Sequence, residues 1–295
     1  MNFFNNEVTV IIVMYQESFD IINKTLEHIK NFKKIIIDNA NNEDLKIKLV
    51  SKFSIYKYIL NKKNIGFSAG YNQGINLSNT RFTLILGPDC LIKEQDINIL
   101  VKKILYYKDC YIVAPTSYDE HGKLTYTGGH LPEKGNKFFP INIEGDVCVD
   151  SVLGACMLFD TRKFYDEKLY FDNNFFLYFS DDDLCRTIKK KKKSVIQIFD
   201  AKCIHSHGNI KVKNRLKKIF IREYNFVFDK LYYDYKENKE KNLNVKLKKK
   251  ILNLTFNFFI KIFTFQFLKS VKIFSRLCAY FIFNKKHLRR DGRVV

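Results

Sequence analysis

At 295 residues the chain is long enough for one full core and an appended segment. Hydrophobic residues make up 46% and charged residues 28%, which excludes a disordered or fibrous chain. The net charge of +20 is uneven: residues 1–212 hold 29 Lys/Arg against 25 Asp/Glu, and residues 213–295 hold 22 against 6, so the basic character belongs to the C-terminal segment.

The first half alternates short apolar runs with helical patterns. EVTVIIVMY (7–15) reads as a buried strand and residues 17–32 as an amphipathic helix. KKIIIDNA (33–40) is a second strand, followed by a helix near 42–52, and IYKYIL (55–60) is a third strand. NIGFSAGYNQG (64–74) reads as a glycine-punctuated loop running into a helix. RFTLILGPDC (81–90) is a fourth strand with a turn at Gly87-Pro88, then comes a helix over 94–107 and a fifth strand, CYIVAP (110–115). This alternation predicts an α/β fold with a mostly parallel sheet and helices on both faces. Ligands of such sheets bind beyond the carboxyl ends of the strands, here Met14 to Glu17, Asp38-Asn39, the Asn64 loop and Asp89.

From 116 to 149 the pattern is irregular, with Gly128-Gly129 and Gly135 predicting hairpins or a mobile loop. Residues 149–164 read as a strand leading into a short helix, FFLYFSDDDLCR (175–186) opens a helix that ends in the lysine run 189–193, and 195–208 alternate as a strand. Beyond 213 the chain is helical, Lys-rich and aromatic. These readings predict a domain over 1–212 and a helical region over 213–295.

Several residue groups carry possible chemistry. Ser180 and Asp183 have capping-box spacing, and an acidic first turn complements the helix dipole. Asp181, Asp182 and Asp183 together exceed what capping needs, since like charges repel, so at least one has a further task. Asp89 reads either as a turn aspartate or as a hard-cation ligand. Asp38 at a strand end is placed to accept from a base or ribose. Gly66, Gly70 and Gly74, with Asn64 and Asn72, serve either close approach to a phosphate or a tight strand-to-helix turn. Cys203, His205 and His207 share one strand face by period two, a spacing unlike the common zinc patterns. No GxSxG occurs, so acyl transfer has little support. Seven scattered cysteines without a CxxC pair, and no basic n-region before a long apolar run, predict a reducing, cytoplasmic location.

EVTVIIVMYQES, IIIDNAN, NIGFSAGYNQGI, LILGPDC, VLGACMLFDTRKF, FFLYFSDDDLCR and IHSHG, in that order, resemble the inverting glycosyltransferase family 2 over about residues 7–208, most closely its bacterial rhamnosyltransferase-like members. The resemblance implies a GT-A type Rossmann-like fold, a nucleotide-diphosphate sugar donor and Mg²⁺ or Mn²⁺. It implies that Asp38 contacts the nucleoside, and that Tyr15, Glu17, Asn39, Asn64, Gly66, Phe67, Gly70 and Asn72 line the donor pocket. By the same resemblance Gly154 and Ala155 sit beneath donor sugar and acceptor. Asp89 and His205 serve the metal and diphosphate, and Asp181 is the catalytic base. Two positions depart from the pattern: Gly87 stands where Asn is usual and Ser180 where Glu is usual. The second departure leaves the base open to Asp182 or Asp183. The implied activity is transfer of a sugar, rhamnose favoured, to a hydroxyl of a glycan or lipid-linked oligosaccharide in surface polysaccharide synthesis. The alternative is a nucleotide-sugar-binding or membrane-associated assembly protein without turnover.

Within 246–286, lysines and arginines interrupt every apolar stretch before the roughly 20 residues a spanning helix needs. The segment reads as a basic helix in the membrane interface, peripheral on the inner face of the cell membrane. A packed helical subdomain or a homodimer contact is the other reading. Its apolar content argues against nucleic acid.

Overall fold

In the computed structural model, residues 4–134, 142–206, 215–237 and 243–285 are described. The chain divides into two compact units, 1–173 with 180–210, and 174–179 with 211–295. The sequence reading places a boundary at 212; in the structure the six residues 174–179, ahead of the acidic run, belong to the second unit.

In the first unit the strands are β1 (Val8–Met14), β2 (Lys33–Asp38), β3 (Lys57–Leu60), β4 (Phe82–Leu86), β5 (Cys90–Ile92), β6 (Cys110–Tyr118), β7 (Gly128–Gly129), β8 (Val147–Val149), β9 (Ser151–Val152), β10 (Cys156–Asp160) and β11 (Ser194–His205). The helices are α1 (Phe19–His28), α2 (Glu43–Lys52), α3 (Gly66–Leu77), α4 (Glu94–Tyr106), α5 (Thr161–Asp166) and α6 (Ser180–Lys190). The main sheet runs β3-β2-β1-β4-β10-β6-β11-β5, with β8 against β11. The pairs β1–β2, β1–β4, β2–β3 and β6–β11 are parallel, and β10 is antiparallel to both β4 and β6. Hence β1, β2, β3, β4, β6 and β11 all point one way and the sheet is mostly parallel, as expected.

Strand alternation splits the core into two faces. Val8, Val10, Ile12 and Met14 of β1 pack with Ile22 and Leu26 of α1, Leu45 and Leu49 of α2, and Leu100 and Val101 of α4. Ile11, Ile35 and Ile85 pack with Tyr71 and Ile75 of α3, Phe164 of α5, and Leu184 and Ile188 of α6. This two-sided burial explains why the early strands read as unbroken apolar runs.

The glycine-rich stretch behaves differently from the loop that was expected. The helix α3 starts at Gly66, so Gly70 and Gly74 are helical. A Cβ on Gly70 would lie 2.8 Å from Val13 Cγ1, and one on Gly74 would lie 2.4 Å from Ile11 Cγ2. Both glycines let α3 lie close on β1, so packing accounts for them. Gly66 is the exception, since its φ of +86° lies in the left-handed region.

In the second unit, α7 (Arg215–Glu237), α8 (Leu243–Phe263) and α9 (Phe267–Phe283) form the helical body. Phe228, Leu247, Ala279 and Phe283 make its core. Ser275 Oγ donates to Phe220 O at 2.7 Å and Arg276 pairs with Glu223 at 2.8 Å. The aromatic run before the acids is an anchor here: Phe175 and Phe179 bury against Tyr233. Asp229, 0% exposed, accepts from the amides of Phe176 at 3.2 Å, Leu177 at 2.9 Å and Tyr178 at 2.8 Å. Phe179 then turns at φ +63° into α6.

Two outcomes check this packing. Gly74→Ala is expected to lower unfolding free energy by about 1–3 kcal/mol through overpacking against Ile11, read from denaturant melts. Burial pushes the Asp229 carboxyl up from 3.8 to about 6, against the lowering effect of its three amide donors. Between those values the folded chain binds the proton more tightly than the unfolded chain, so stability rises as pH falls from 7 to 5. The stability of the parent relative to Asp229→Asn is expected to grow by about 1–2 kcal/mol over that range. A flat difference would remove the buried-carboxylate account.

Candidate active site

The carboxyl ends of β1, β2 and β4 bring three acids into one electrostatic neighbourhood. Glu17, just past β1, accepts from its own loop at Tyr15 N. Burial pushes its carboxyl up to about 7, and the charges of Asp89 and Asp38 add to the rise. A buried acid whose proton affinity is raised further by neighbouring carboxylates marks a site that favours a cation. An open cleft of about 470 Å³ is lined by Gln16, Glu17 and residues 40–44.

Asp38 forms the floor of this edge. It is 1% exposed, and its oxygens accept from Ala40 N at 2.7 Å, Asn42 N at 3.2 Å and the Tyr58 hydroxyl at 3.3 Å. It holds the 40–42 loop in place, so what it offers a ligand is the shape of that loop. Asn39 donates to Gly66 O at 3.2 Å and accepts from Asn61 at 2.9 Å, while Asn64 accepts from Gly66 N at 2.8 Å. These bonds tie the start of α3 to the end of β2. Asn72, expected at the donor, clamps a distant segment. Its amide donates to Phe171 O and to Asn173 Oδ1, both at 2.7 Å, and its oxygen accepts from Phe171 N at 3.0 Å. Asn72 is thus occupied by a structural task, as Gly70 is by its contact with Val13.

Asp89 lies on the β4–β5 turn. Thr25 Oγ1 of α1 donates to Pro88 O at 2.7 Å and pins the turn from below. The Asp89 carboxylate stands 3.5 Å from His205 Nε2 at the end of β11, with the two side chains 21% and 11% exposed. Ser206 N donates to Asp89 O at 3.2 Å, completing the link. Gly87, the departure from the usual Asn, has little room: a Cβ there would lie 3.2 Å from Asp89 Oδ1 and 3.4 Å from Ala155 O.

A carboxylate and an imidazole side by side, in an acidic neighbourhood, fit a divalent cation that completes its coordination with phosphate. His207, considered with Cys203 and His205 for zinc, lies outside the described residues. Among the described residues, the three potential ligands that converge within 4.8 Å are Cys90, Cys156 and Cys203, all buried. Hydrogen bonds among the neighbouring thiols, together with burial, push Cys90 and Cys156 up and keep them protonated. Cys90 and Cys156 pack as small hydrophobes, while hydrogen bonds from their thiols push Cys203 down.

The acidic run resolves into three separate jobs. Asp182, 0% exposed, accepts from Ser151 Oγ at 2.6 Å. Asp183, 3% exposed, pairs with Arg186 at 2.8 Å one turn along α6. Asp181 is half-buried; its Oδ2 accepts from Gly154 N at 2.9 Å and its Oδ1 from Asp182 N at 3.0 Å. It is the one acid of the three that keeps open surface. Ser180 does not cap as expected: it is the first helical residue, and its buried Oγ has no hydrogen-bond partner among the described residues.

Gly154 and Ala155 join the two halves of the site. Gly87 N donates to Ala155 O at 2.7 Å on one side, and Gly154 N holds Asp181 on the other. A Cβ on Gly154 would lie 2.7 Å from Phe67 Cζ and 3.3 Å from Asp181 Cβ, so only glycine lets this backbone reach the carboxylate. Phe67 is in turn set edge-on by Tyr71 and Phe171, at centroid distances of 4.6 and 5.5 Å.

The glycosyl transferase family 2 model matches residues 9–164. The chain belongs to that family. No curated protein sequence matches it. The solved structure of GalNAc-T7 with UDP, GalNAc and Mn²⁺ aligns with a TM-score of 0.56 at 13% identity, over 75% of this chain and 50% of that one. The mannosyltransferase PcManGT from Pyrobaculum calidifontis, in complex with GDP-Man and Mn²⁺, aligns with a TM-score of 0.53 at 14% identity, over 77% of this chain and 64% of that one. At these identities the likeness is one of fold, and the chain spans from half to under two thirds of those lengths. The family match ends at α5, before Asp181 and His205.

Ser151, Thr25, Asn61 and Asp229 all support the site or the chain leading into it, and sequence reasoning missed them. Each acts through one hydrogen bond or a few across a long sequence separation, which no local pattern encodes.

The separation of duties has a stability signature. Asp183→Ala leaves the Arg186 guanidinium buried without this partner and is expected to cost about 3–5 kcal/mol. Asp181→Asn keeps a polar group at a half-exposed position and is expected to cost under about 1 kcal/mol. Urea melts of the two variants check the ordering, and equal losses would refute it.

Proposed function

We propose that this chain is an inverting glycosyltransferase that moves a sugar from a nucleoside-diphosphate donor to an acceptor hydroxyl, with Asp181 as the base. The observation that carries the reading is the Gly154 N to Asp181 Oδ2 hydrogen bond of 2.9 Å. It fixes one accessible carboxylate beside the turn that is bonded to the Asp89 loop, while Asp182 and Asp183 are committed elsewhere. Family membership and the nucleotide, sugar and Mn²⁺ named for the two similar structures support the donor class.

An acceptor hydroxyl is a weak nucleophile until a carboxylate within hydrogen-bond reach takes its proton. Asp181 accepts that proton as the acceptor oxygen bonds to the anomeric carbon. The bond from that carbon to the diphosphate oxygen breaks with its electron pair, releasing a nucleoside diphosphate. A single displacement of this kind inverts the anomeric centre and needs no covalent enzyme intermediate. Asp89 and His205 would hold Mg²⁺ or Mn²⁺, which supplies charge neutralisation at the departing diphosphate. The cleft along Glu17 and residues 40–44 is where we place the nucleoside side of the donor. Among sugars we favour rhamnose, and among acceptors a glycan or lipid-linked oligosaccharide of surface polysaccharide synthesis.

Release of nucleoside diphosphate across a panel of nucleotide sugars, with Mn²⁺ or Mg²⁺, tests the reading. The parent is expected to turn over one donor. Asp181→Asn is expected to lose on the order of a hundredfold or more in kcat, with donor affinity within about twofold, since uniform binding is untouched. A variant that keeps the parent rate would remove Asp181 as the base.

A further inference from the structure

The helical unit presents an apolar surface of unusual make-up for an outward face. Of the described side chains of α8, Leu247 is the one buried. Leu252, Phe256, Phe259 and Phe263 recur at spacings of four, three and four, so they fall on a single stripe of the helix. That stripe points outward: the four are 71%, 70%, 51% and 77% exposed. The turn into α9 continues it with Phe265 at 80% and Phe267 at 62%. An amphipathic helix normally turns such a stripe to its own core, and a contiguous exposed apolar surface of this kind marks an interaction site.

Charge selects the occupant. From Lys241 to Arg290 the sequence contains no Asp or Glu, while Lys248, Lys249 and Lys250 open the stripe and Lys261 and Lys269 flank the turn. A second copy docking face to face would set these cations against themselves. A surface of lipid phosphates would neutralise them while taking up the aromatic rings. No helix among the described residues is long and apolar enough to cross a membrane, so the geometry is that of a helix lying along the surface. Its 21 residues give a length of about 30 Å.

We propose that the α8 stripe and the α8–α9 turn form a binding site for an anionic lipid bilayer. The Phe263, Phe265 and Phe267 rings enter the headgroup–acyl boundary, and the neighbouring lysines stay among the phosphates. This site is independent of the sugar-transfer reading. Vesicle binding without turnover would leave it standing, and turnover without vesicle binding would remove it alone.

The chain contains no tryptophan, so Phe265→Trp places a single indole at the turn of the full-length protein. With vesicles of phosphatidylcholine and phosphatidylglycerol, the emission is expected to shift to the blue and to be quenched by brominated acyl chains. Vesicles of phosphatidylcholine alone, or high salt, are expected to weaken binding by roughly tenfold or more. In flotation, the triple variant Phe263→Ser, Phe265→Ser, Phe267→Ser is expected to lose on the order of tenfold or more in partitioning. Its circular dichroism is expected to match the parent, because the three side chains are exposed. An unshifted indole with anionic vesicles, or a triple variant that floats like the parent, would overturn the proposal. So would a stable dimer of the parent that the triple variant breaks, since the surface would then belong to a second copy.

Discussion

A single backbone amide organises the site. Gly154 N holds the Asp181 carboxylate, and the next residue accepts from Gly87 N, two positions before Asp89. The proposed base, Asp181, and the Asp89 turn, where we place the cation, are thus connected through two adjacent residues on the link between β9 and β10. The parallel strands β1, β2 and β4 carry Glu17, Asp38 and Asp89 to a common edge, and Ser151 and Arg186 engage Asp182 and Asp183. Phe67 and Gly154 meet so closely that no larger residue fits at the contact.

The electrostatics follow from that convergence. Three carboxylates at neighbouring strand ends repel one another, and Glu17 carries the consequence as a proton affinity raised to about 7 by burial and by its neighbours. A cation shared with a diphosphate, as proposed, would relieve the same repulsion. Under the proposed function this edge would gain stability by binding a donor, a linkage that belongs to the fold as much as to the chemistry.

The fold was legible because strand and helix periods do not depend on distant partners. β1, β2, β4 and the helices between them fall within a few residues of where apolar alternation places them, and two-sided burial explains their continuous runs. The site was legible in residue type and position, but less so in duty. Three aspartates in a row look equivalent in the sequence; the approach of Ser151, 31 residues from Asp182, of Gly154 and of Arg186 separates them. Gly70 and Asn72 fell in a stretch that resembled a ligand loop, yet what they meet is Val13 and Phe171. Capping logic failed at Ser180 because the helix starts one residue earlier than a cap would allow. The aromatic run before it was a tether to Tyr233 and Asp229, a role that depends on a helix some 50 residues onward.

The central claim is that Asp89 and His205 form a cation site that works together with a nucleoside diphosphate. Titrating Mn²⁺ into the protein, with and without UDP or GDP, and following the free-ion signal by electron paramagnetic resonance, tests it directly. The account predicts that the nucleotide and the parent chain together sequester Mn²⁺ more strongly than either alone, and that Asp89→Asn abolishes this excess. Equal sequestration by parent and variant would contradict it.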